Sequence, residues 1–479
     1  MISCEVAVVG AGIVGAFIFN TLTLNGVRCT LIEKGEDVSL GATKANSGII
    51  HAGYDCTPFT LKAKFNVEGN KMYDSVAKRL SEELIKCGSL VVGEKDSLPK
   101  LQQLLQRGKI NGVKNLKILS RKNLVKLEPN LNKDICYGLY AKDAKIISPY
   151  RFCISLCEEA IINGGNLLLN FDTTKIEQKN NRFVLHSKNQ TVEAKYLINA
   201  CAEGVNYINS LLGEEPLPIK FTKGEYILLD QSEKGLASRP IFPLPTEHSK
   251  GILACPTVHG NIFFGPTAVD VDNYDTSVNY TSLSTIKTQV SNTLQNINFK
   301  KIIKLYAGVR TKVEDDFYIN FSSKNPNLLT ICGICSPGLT SAPAIAEYVL
   351  QSLKEKGLAT TKIIAIKRTP YTNITTLSKQ ELNALVKKDA NYGEIVCRCE
   401  CISKGEILEV LNGPIKNLTT DGIKRRLRTT MGRCQGSFCY PKLWNIVAEH
   451  YKKDVGKINF KGSSSLVVGD IKEGGIYGK

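Results

Sequence analysis

The chain has 479 residues, 43% hydrophobic and 22% charged, enough for two or three domains with sizeable cores. No run approaches the roughly twenty apolar residues that span a bilayer, which argues against a bundle of membrane-spanning helices. The formal charge of +17 is spread along the chain without aromatic interleaving, so nucleic acid has little weight as a partner; a basic surface would instead attract an anionic substrate, an acidic protein or an anionic membrane face.

Most of that charge reads as solvated surface; its tightest cluster, Lys424-Arg425-Arg426-Leu427-Arg428, lies beside cysteines. There are sixteen cysteines, and the first apolar segment carries Glu5 and a glycine-rich turn, which a secretory signal would not. A reducing compartment, the cytoplasm, is therefore expected, with thiols free or bound to metal.

In chain order, the apolar run Val6–Val9 predicts a buried parallel strand and Ile13–Leu24 the helix after it. Between them, Gly10 suits a tight turn, Gly12 leaves room for a pyrophosphate, and Gly15 allows helix and strand to approach. The helix N-terminus offers N–H groups and a positive dipole end to phosphates. A second strand, Arg28–Ile32, ends at Glu33-Lys34, about twenty residues on, where the acid can accept bonds from ribose hydroxyls. This is a dinucleotide fingerprint in its required context. A turn glycine-rich for steric reasons alone is the alternative, and the N-terminal position favours FAD over NAD.

Small and hydroxylic residues crowd the next loop, Gly41 to Asp55, as backbone passing close to a cofactor requires. His51 within it can act as a base near neutral pH, or can simply be satisfied by local hydrogen bonds. The stretch Thr43-Lys44-Ala45-Asn46-Ser47-Gly48-Ile49-Ile50-His51-Ala52-Gly53-Tyr54-Asp55, with Leu61-Lys62-Ala63-Lys64, resembles the FAD-dependent glycerol-3-phosphate dehydrogenases and oxidases of the glycine/D-amino-acid oxidase superfamily. The 2-hydroxyglutarate dehydrogenases are similar there. The resemblance implies that Thr43, Asn46, Ser47, Gly48 and Ile49 lie along the cofactor and that His51 takes the proton from a substrate's secondary hydroxyl.

From Phe65 to Leu131 the sequence reads as helices, including Lys71–Leu84 and Leu98–Arg107. A helix over Arg151–Ile162 comes next, ended by Gly164-Gly165, then strand-like runs at Asn166–Leu169, Arg182–His186 and Gln190–Val192. They lead into Ala194–Ala202, which resembles the strand that returns to the cofactor in this superfamily, although Cys201 and Glu203 depart from its pattern. The middle of the chain, roughly Pro216–Ile303, is rich in β-branched residues and predicts a mostly antiparallel substrate-binding sheet. His259, in a turn before Gly260, is a weak substrate-binding candidate against the plainer reading of a hairpin histidine.

Arg310 offers a permanently charged fork for a phosphate or carboxylate, the alternative being an ion pair with Glu314-Asp315-Asp316. The resemblance implies the first. Beyond the strand Leu328–Cys332, Gly338-Leu339-Thr340 feeds a helix, Ala344–Leu353, whose N-terminus can face the flavin's electron-rich edge. Cys332 and Cys335 fall in a strand and a loop, which makes a metal role for them unattractive.

After a Thr/Asn/Lys-rich stretch with one helix near Ser378–Val386, Cys397-Arg398-Cys399 and Cys434–Cys439 present two pairs of thiols, as a [2Fe-2S] cluster or a zinc ion requires. Cys-Arg-Cys-Glu, Thr419-Thr420-Asp421-Gly422 and Met431–Gly436 resemble the bacterioferritin-associated ferredoxin-like domain, which implies the cluster on Cys397, Cys399, Cys434 and Cys439, with Cys401 a bystander.

The expected fold is α/β: a Rossmann-type FAD domain (1–365) with an inserted β substrate subdomain (roughly 60–145 and 205–305), a linker (366–391), a small, mainly helical [2Fe-2S] domain (392–452) and a flexible tail (453–479). The resemblance implies oxidation of glycerol 3-phosphate to dihydroxyacetone phosphate by hydride transfer to flavin, with electrons passed through the cluster to a partner subunit or quinone. Oxidation of a 2-hydroxy or amino acid, and a non-catalytic electron-transfer role, are the alternatives. A cytoplasmic location, with peripheral attachment to the inner face of the membrane as a variant, goes with it.

Overall fold

A computed structural model describes residues 1–244, 251–462 and 465. Strand β1 (Ile2–Val9) lies between two parallel neighbours, Thr191–Asn199 and β2 (Cys29–Ile32). It starts earlier than its apolar run because Ile2, Ser3 and Cys4 pair with Val192, Glu193 and Ala194. Asn166–Leu168 extends the sheet parallel to β2, and Leu328–Cys332 pairs parallel with the end of Thr191–Asn199. Helix α1 (Ile13–Leu24) covers one face together with the helices Pro149–Ile162 and Gly338–Glu355, burying Phe17, Phe19 and Phe152 between them. This is the expected Rossmann-type layer.

A second, nine-stranded sheet is mostly antiparallel, with Lys220–Leu229 paired along Ile302–Lys312 at its heart. It takes in Ser89–Gly93 and Leu116–Ser120, so the stretch read as helical contains strands, and Tyr137–Ala141 beyond it. Ser89–Gly93 is buried along its whole length, and its run Leu90-Val91-Val92 is a core strand too short to show periodicity.

Helix α2 (Leu61–Leu80) starts ten residues before the predicted Lys71. Thr60 Oγ1 accepts from Ala63 N–H at 3.1 Å, and the Asp316 carboxylate accepts from the N–H groups of Leu61 (2.7 Å) and Lys62 (3.0 Å), a cap supplied from far along the chain. Although the sequence division placed it in the substrate subdomain, α2 packs on the dinucleotide layer, burying Phe65, Tyr73 and Leu80 in the same core as α1.

The helix Gly338–Glu355 likewise begins six residues before the predicted Ala344 and contains Pro343. Proline has no N–H for the carbonyl four residues back, Leu339. Tyr73 supplies the missing donor from α2, its hydroxyl lying 2.6 Å from Leu339 O.

The C-terminal module is a two-stranded ribbon (Ile395–Cys397, Ile402–Ser403) with helices Lys404–Leu411, Thr420–Leu427 and Tyr440–Tyr451. Ahead of it, the predicted linker carries the helix Lys379–Lys388 and is tied down by Arg368, buried 2.7 Å from Glu158. The arginine cluster read as solvated is not: Arg425 and Arg426 are each 3% exposed. The expected tail begins with chain packed on the module, Phe460 against Tyr440 at 5.4 Å, while residues 463–464 and 466–479 lie outside those described. Among the described residues, no helix is long and apolar enough to cross a membrane.

Removing the Tyr73 hydroxyl should leave the Leu339 carbonyl unpaired. Tyr73→Phe is expected to cost about 1–3 kcal/mol in denaturant unfolding. The cost should shrink in a Pro343→Ala background, where a helix N–H can take over; equal cost in both backgrounds would discount the Pro343 explanation.

Candidate active site and cysteine centre

The turn after β1 closes with Gly10 at φ +104°. Its other two glycines serve different ends. A Cβ on Gly15 would lie 1.9 Å from Gly10 O, so that position is glycine for the sake of the protein's own packing. A Cβ on Gly12 would meet only Thr43 Oγ1, at 3.3 Å, on the side of the cavity. Gly12 has no side chain of its own to cap α1; Thr43 Oγ1 accepts the Ile13 N–H, and the first turn has no acid, so no opposite charge neutralises the positive end of the helix there.

Glu33, at the end of β2, is held by two backbone donors, Ala11 N–H to Oε2 at 2.9 Å and Gly35 N–H to Oε1 at 2.8 Å. Burial pushes its carboxyl above the ordinary value against the pull of these bonds. Lys34 comes next to it on the cavity wall. Cys201 also lines this end, its thiol donating to Val9 O at 3.2 Å and pushed up by burial and by Glu33, which leaves it a neutral thiol.

The cavity holds about 1540 Å³, beyond the roughly 300–1,000 Å³ that suits a single drug-sized ligand. It runs from Gly10, Gly12 and Gly15 past Thr43, Asn46, Ser47 and Ile49 to His51 and Arg310, and Gly338 and Leu339 close it. Two predicted cofactor residues lie just behind its wall. Gly48, at φ +64°, has the Ile147 carbonyl where a Cβ would go, and Thr340 Oγ1 accepts the His51 N–H at 2.9 Å.

His51 is thus fixed through its backbone, because its carbonyl also accepts from Asn70 Nδ2 at 2.9 Å. Its ring centroid lies 6.0 Å from that of Phe242. Asn70 was not singled out from the sequence, where an asparagine inside a helix carries no signal; the structure shows it bridging His51 O and Asp143 O.

Arg310 reaches the cavity from the strand Ile302–Lys312, with Nη2 donating to Thr267 O at 2.8 Å. The alternative partners are engaged elsewhere, Asp316 at the start of α2 and Asp315 with Lys312 at 3.2 Å. Lys220 and Lys312 line the same wall, as does Tyr226, stacked on Tyr306 at 4.7 Å. His259 is not brought to the cavity. Its turn faces the C-terminal module, where burial and then Arg428 and Arg151 push its imidazole well below the ordinary value, so the hairpin reading replaces the substrate-binding one.

In the module, Cys399 Sγ and Cys434 Sγ lie 3.6 Å apart, and Cys397 lies beside Cys439. A separation near 3.7 Å is about the edge of a tetrahedron with metal–sulfur bonds of ~2.3 Å. Among the described residues, no three or more His, Cys, Asp or Glu side chains are arranged to hold a single ion. Two thiol pairs fit a two-iron cluster, with two thiolates to each metal, better than one zinc. Cys401, at φ +52°, turns its thiol to Arg398 O, outside both pairs.

Residues 5–352 match the FAD dependent oxidoreductase (DAO) family, and residues 395–449 match the BFD-like [2Fe-2S] binding domain. The chain belongs to the FAD-dependent oxidoreductase family. This oxidoreductase is 37% identical over 470 residues to a glycerol 3-phosphate dehydrogenase of Caloramator mitchellensis, covering 97% of this chain and 98% of that protein. A structure of L-alpha-glycerophosphate oxidase from Mycoplasma pneumoniae with FAD bound superposes with a TM-score of 0.71 at 27% identity, over 76% of this chain and 97% of that one. The mouse mitochondrial L-2-hydroxyglutarate dehydrogenase is 30% identical over 282 residues, 54% of this chain and 60% of that protein. The open Gly12 position, the helix end without an acid in its first turn and the Glu33 carboxyl fit FAD, and the cysteine pairs fit the [2Fe-2S] cluster.

The two glycines should separate on substitution. Gly12→Val is expected to purify without flavin and to melt near the Tm of the flavin-stripped parent, whereas Gly15→Ala should lose about 1–3 kcal/mol or more to overpacking. Absorbance at the flavin band and thermal melts check both. Cys399→Ser should abolish the brown colour of the iron-reconstituted protein; a colour that survives would point to other ligands.

Proposed function

We propose that this chain oxidises sn-glycerol 3-phosphate to dihydroxyacetone phosphate and delivers the electrons, through a [2Fe-2S] cluster, to a partner protein or quinone. The observation that carries the reading is that His51 and Arg310 line the same cavity as the dinucleotide turn. A relative that matches along nearly the whole chain is a glycerol 3-phosphate dehydrogenase, and one FAD-bound structural neighbour is an L-alpha-glycerophosphate oxidase.

Arg310 binds the substrate's phosphate, with Lys312 and Lys220 adding positive charge on the same wall. His51, its backbone held by Thr340 and Asn70, accepts the proton of the C2 hydroxyl. FAD, held at the Gly10–Gly15 turn, Glu33, Lys34 and the Thr43–Ile49 loop, supplies the two-electron acceptor. The cluster on Cys397, Cys399, Cys434 and Cys439 supplies single-electron carriage, which an enzyme that delivers directly to oxygen does not need; dehydrogenase is therefore preferred to oxidase. In this reading, residues 1–365 form the catalytic unit and 392–452 the electron-delivery unit, joined through 366–391.

Anaerobic mixing with glycerol 3-phosphate should bleach the oxidised flavin band rapidly, and His51→Ala should slow that bleaching by about 10²–10⁴-fold. Arg310→Ala should raise KM for glycerol 3-phosphate more than it lowers kcat, as loss of a phosphate anchor requires. Faster bleaching by 2-hydroxyglutarate than by glycerol 3-phosphate would overturn the substrate assignment.

A further inference from the structure

The loop from Glu33 to Asn46 forms the dinucleotide end of the cavity, and the cysteine module grips that loop from behind. Glu33, Lys34, Gly35, Gly41 and Thr43 face the cavity. Between them Asp37 turns the other way and is fully buried against the helix Thr420–Leu427. Arg426 donates to both of its oxygens, at 2.7 and 3.0 Å, and Arg425 to one at 2.8 Å; Arg425 also donates to the Val38 carbonyl at 2.5 Å. The flanks are held too, with Gly462 N–H donating to Glu36 at 2.9 Å and Lys44 lying 4.0 Å from Asp421.

The inner side of this loop is bonded to the glycine turn itself. Ser39 N–H donates to Ala11 O, and Thr43 Oγ1 accepts from Ile13 N–H, both at 2.9 Å. A displacement of Asp37 therefore reaches the turn through two hydrogen bonds. On the module side, the chain that carries Arg425 and Arg426 runs straight into the cysteine loop. Thr430 lies beside Cys397 and Cys439, and Arg428 pairs at 2.8 Å with Glu400, the neighbour of Cys399.

We infer that metal loading of the cysteine module and FAD binding in the cavity are coupled, with Asp37, Arg425 and Arg426 as the positioning residues that transmit the coupling. The inference rests on the cavity being the FAD site. A site built of thiolates converges only when metal repays the cost, so its binding free energy is also folding free energy for the module. A module without metal loosens its grip on Asp37, whose buried carboxylate has Arg425 and Arg426 as its ion-pair partners. Linkage makes the effect reciprocal: FAD should tighten iron retention by the factor by which iron tightens FAD.

The test uses the full chain, iron-reconstituted and iron-depleted, stripped of FAD and titrated with it while flavin fluorescence is monitored. Depletion should weaken FAD binding by about 5- to 150-fold, the range of ordinary allosteric couplings. Saturating FAD should slow iron loss to a chelator in the parent chain. In Asp37→Asn both differences should largely disappear, because the link is broken, even where its Tm is lower. Equal FAD dissociation constants for the loaded and depleted parent chain overturn the inference, whether or not Asp37→Asn folds. A chain that binds no FAD in either state overturns the reading of the cavity and this inference with it.

Discussion

Four parallel strands deliver their C-terminal ends to one edge of a sheet, and the residues just beyond those ends build the cavity. Gly10 comes after β1, Glu33 after β2, Cys201 after Thr191–Asn199, and Gly333 to Ser336 after Leu328–Cys332. Open α/β sheets place ligands at that edge because strand ends and helix starts leave backbone donors and positive dipole ends pointing outward together. The antiparallel sheet then adds Tyr226, Thr267 and Arg310 from the opposite side. Its long pairing of Lys220–Leu229 with Ile302–Lys312 sets the reach of the arginine, since Thr222 and Arg310 are direct partners in that ladder.

The features that could be read in the sequence are the local ones. The turn, α1 and Glu33 are fixed by residues within about one strand–helix–strand unit, so their spacing alone reported them. The cysteine pairs were legible for the same reason. The features that escaped depend on distant chain. Helix α2 begins at Leu61 because Asp316, 255 positions away, caps it. Arg425 and Arg426 look like solvated charge until Asp37, nearly four hundred positions earlier, is folded against them. His259 sits in a turn that could have faced either way, and the module side won.

The same interface explains how a chain with a charge of +17 can bury charge at all. Asp37 is desolvated, which alone would raise its pKa, yet Arg426 and Arg425 hold it below the ordinary carboxylate range. Glu158 completes the network from the helix Pro149–Ile162, bonded to Arg368 at 2.7 Å and lying 3.8 Å from Arg426. Such networks contribute little net stability, because desolvation consumes most of the Coulomb gain, but removing one member leaves an uncompensated charge in the interior. They therefore select one docked arrangement over others. Here the arrangement selected puts the cysteine loops against turns of the substrate sheet, with Arg428 donating to Asn261 at 3.0 Å.

The position of His51 has a comparably remote origin. Its N–H donates to Thr340 Oγ1, in the first turn of Gly338–Glu355, and its carbonyl accepts from Asn70 Nδ2 on α2. These two helices come into close contact at Gly69, where a Cβ would lie 2.0 Å from Thr340 O. Tyr73, one turn further along α2, pairs the carbonyl that Pro343 leaves open. Two helices clamped at adjacent turns thus hold both backbone groups of His51, which also follows the strand residues Ile49 and Ile50 paired with Ile146 and Lys145. Gly69 lets the two helices approach, and the Tyr73 hydroxyl satisfies the carbonyl that Pro343 leaves open, so the crossing that holds the His51 backbone is packed without an unpaired polar group.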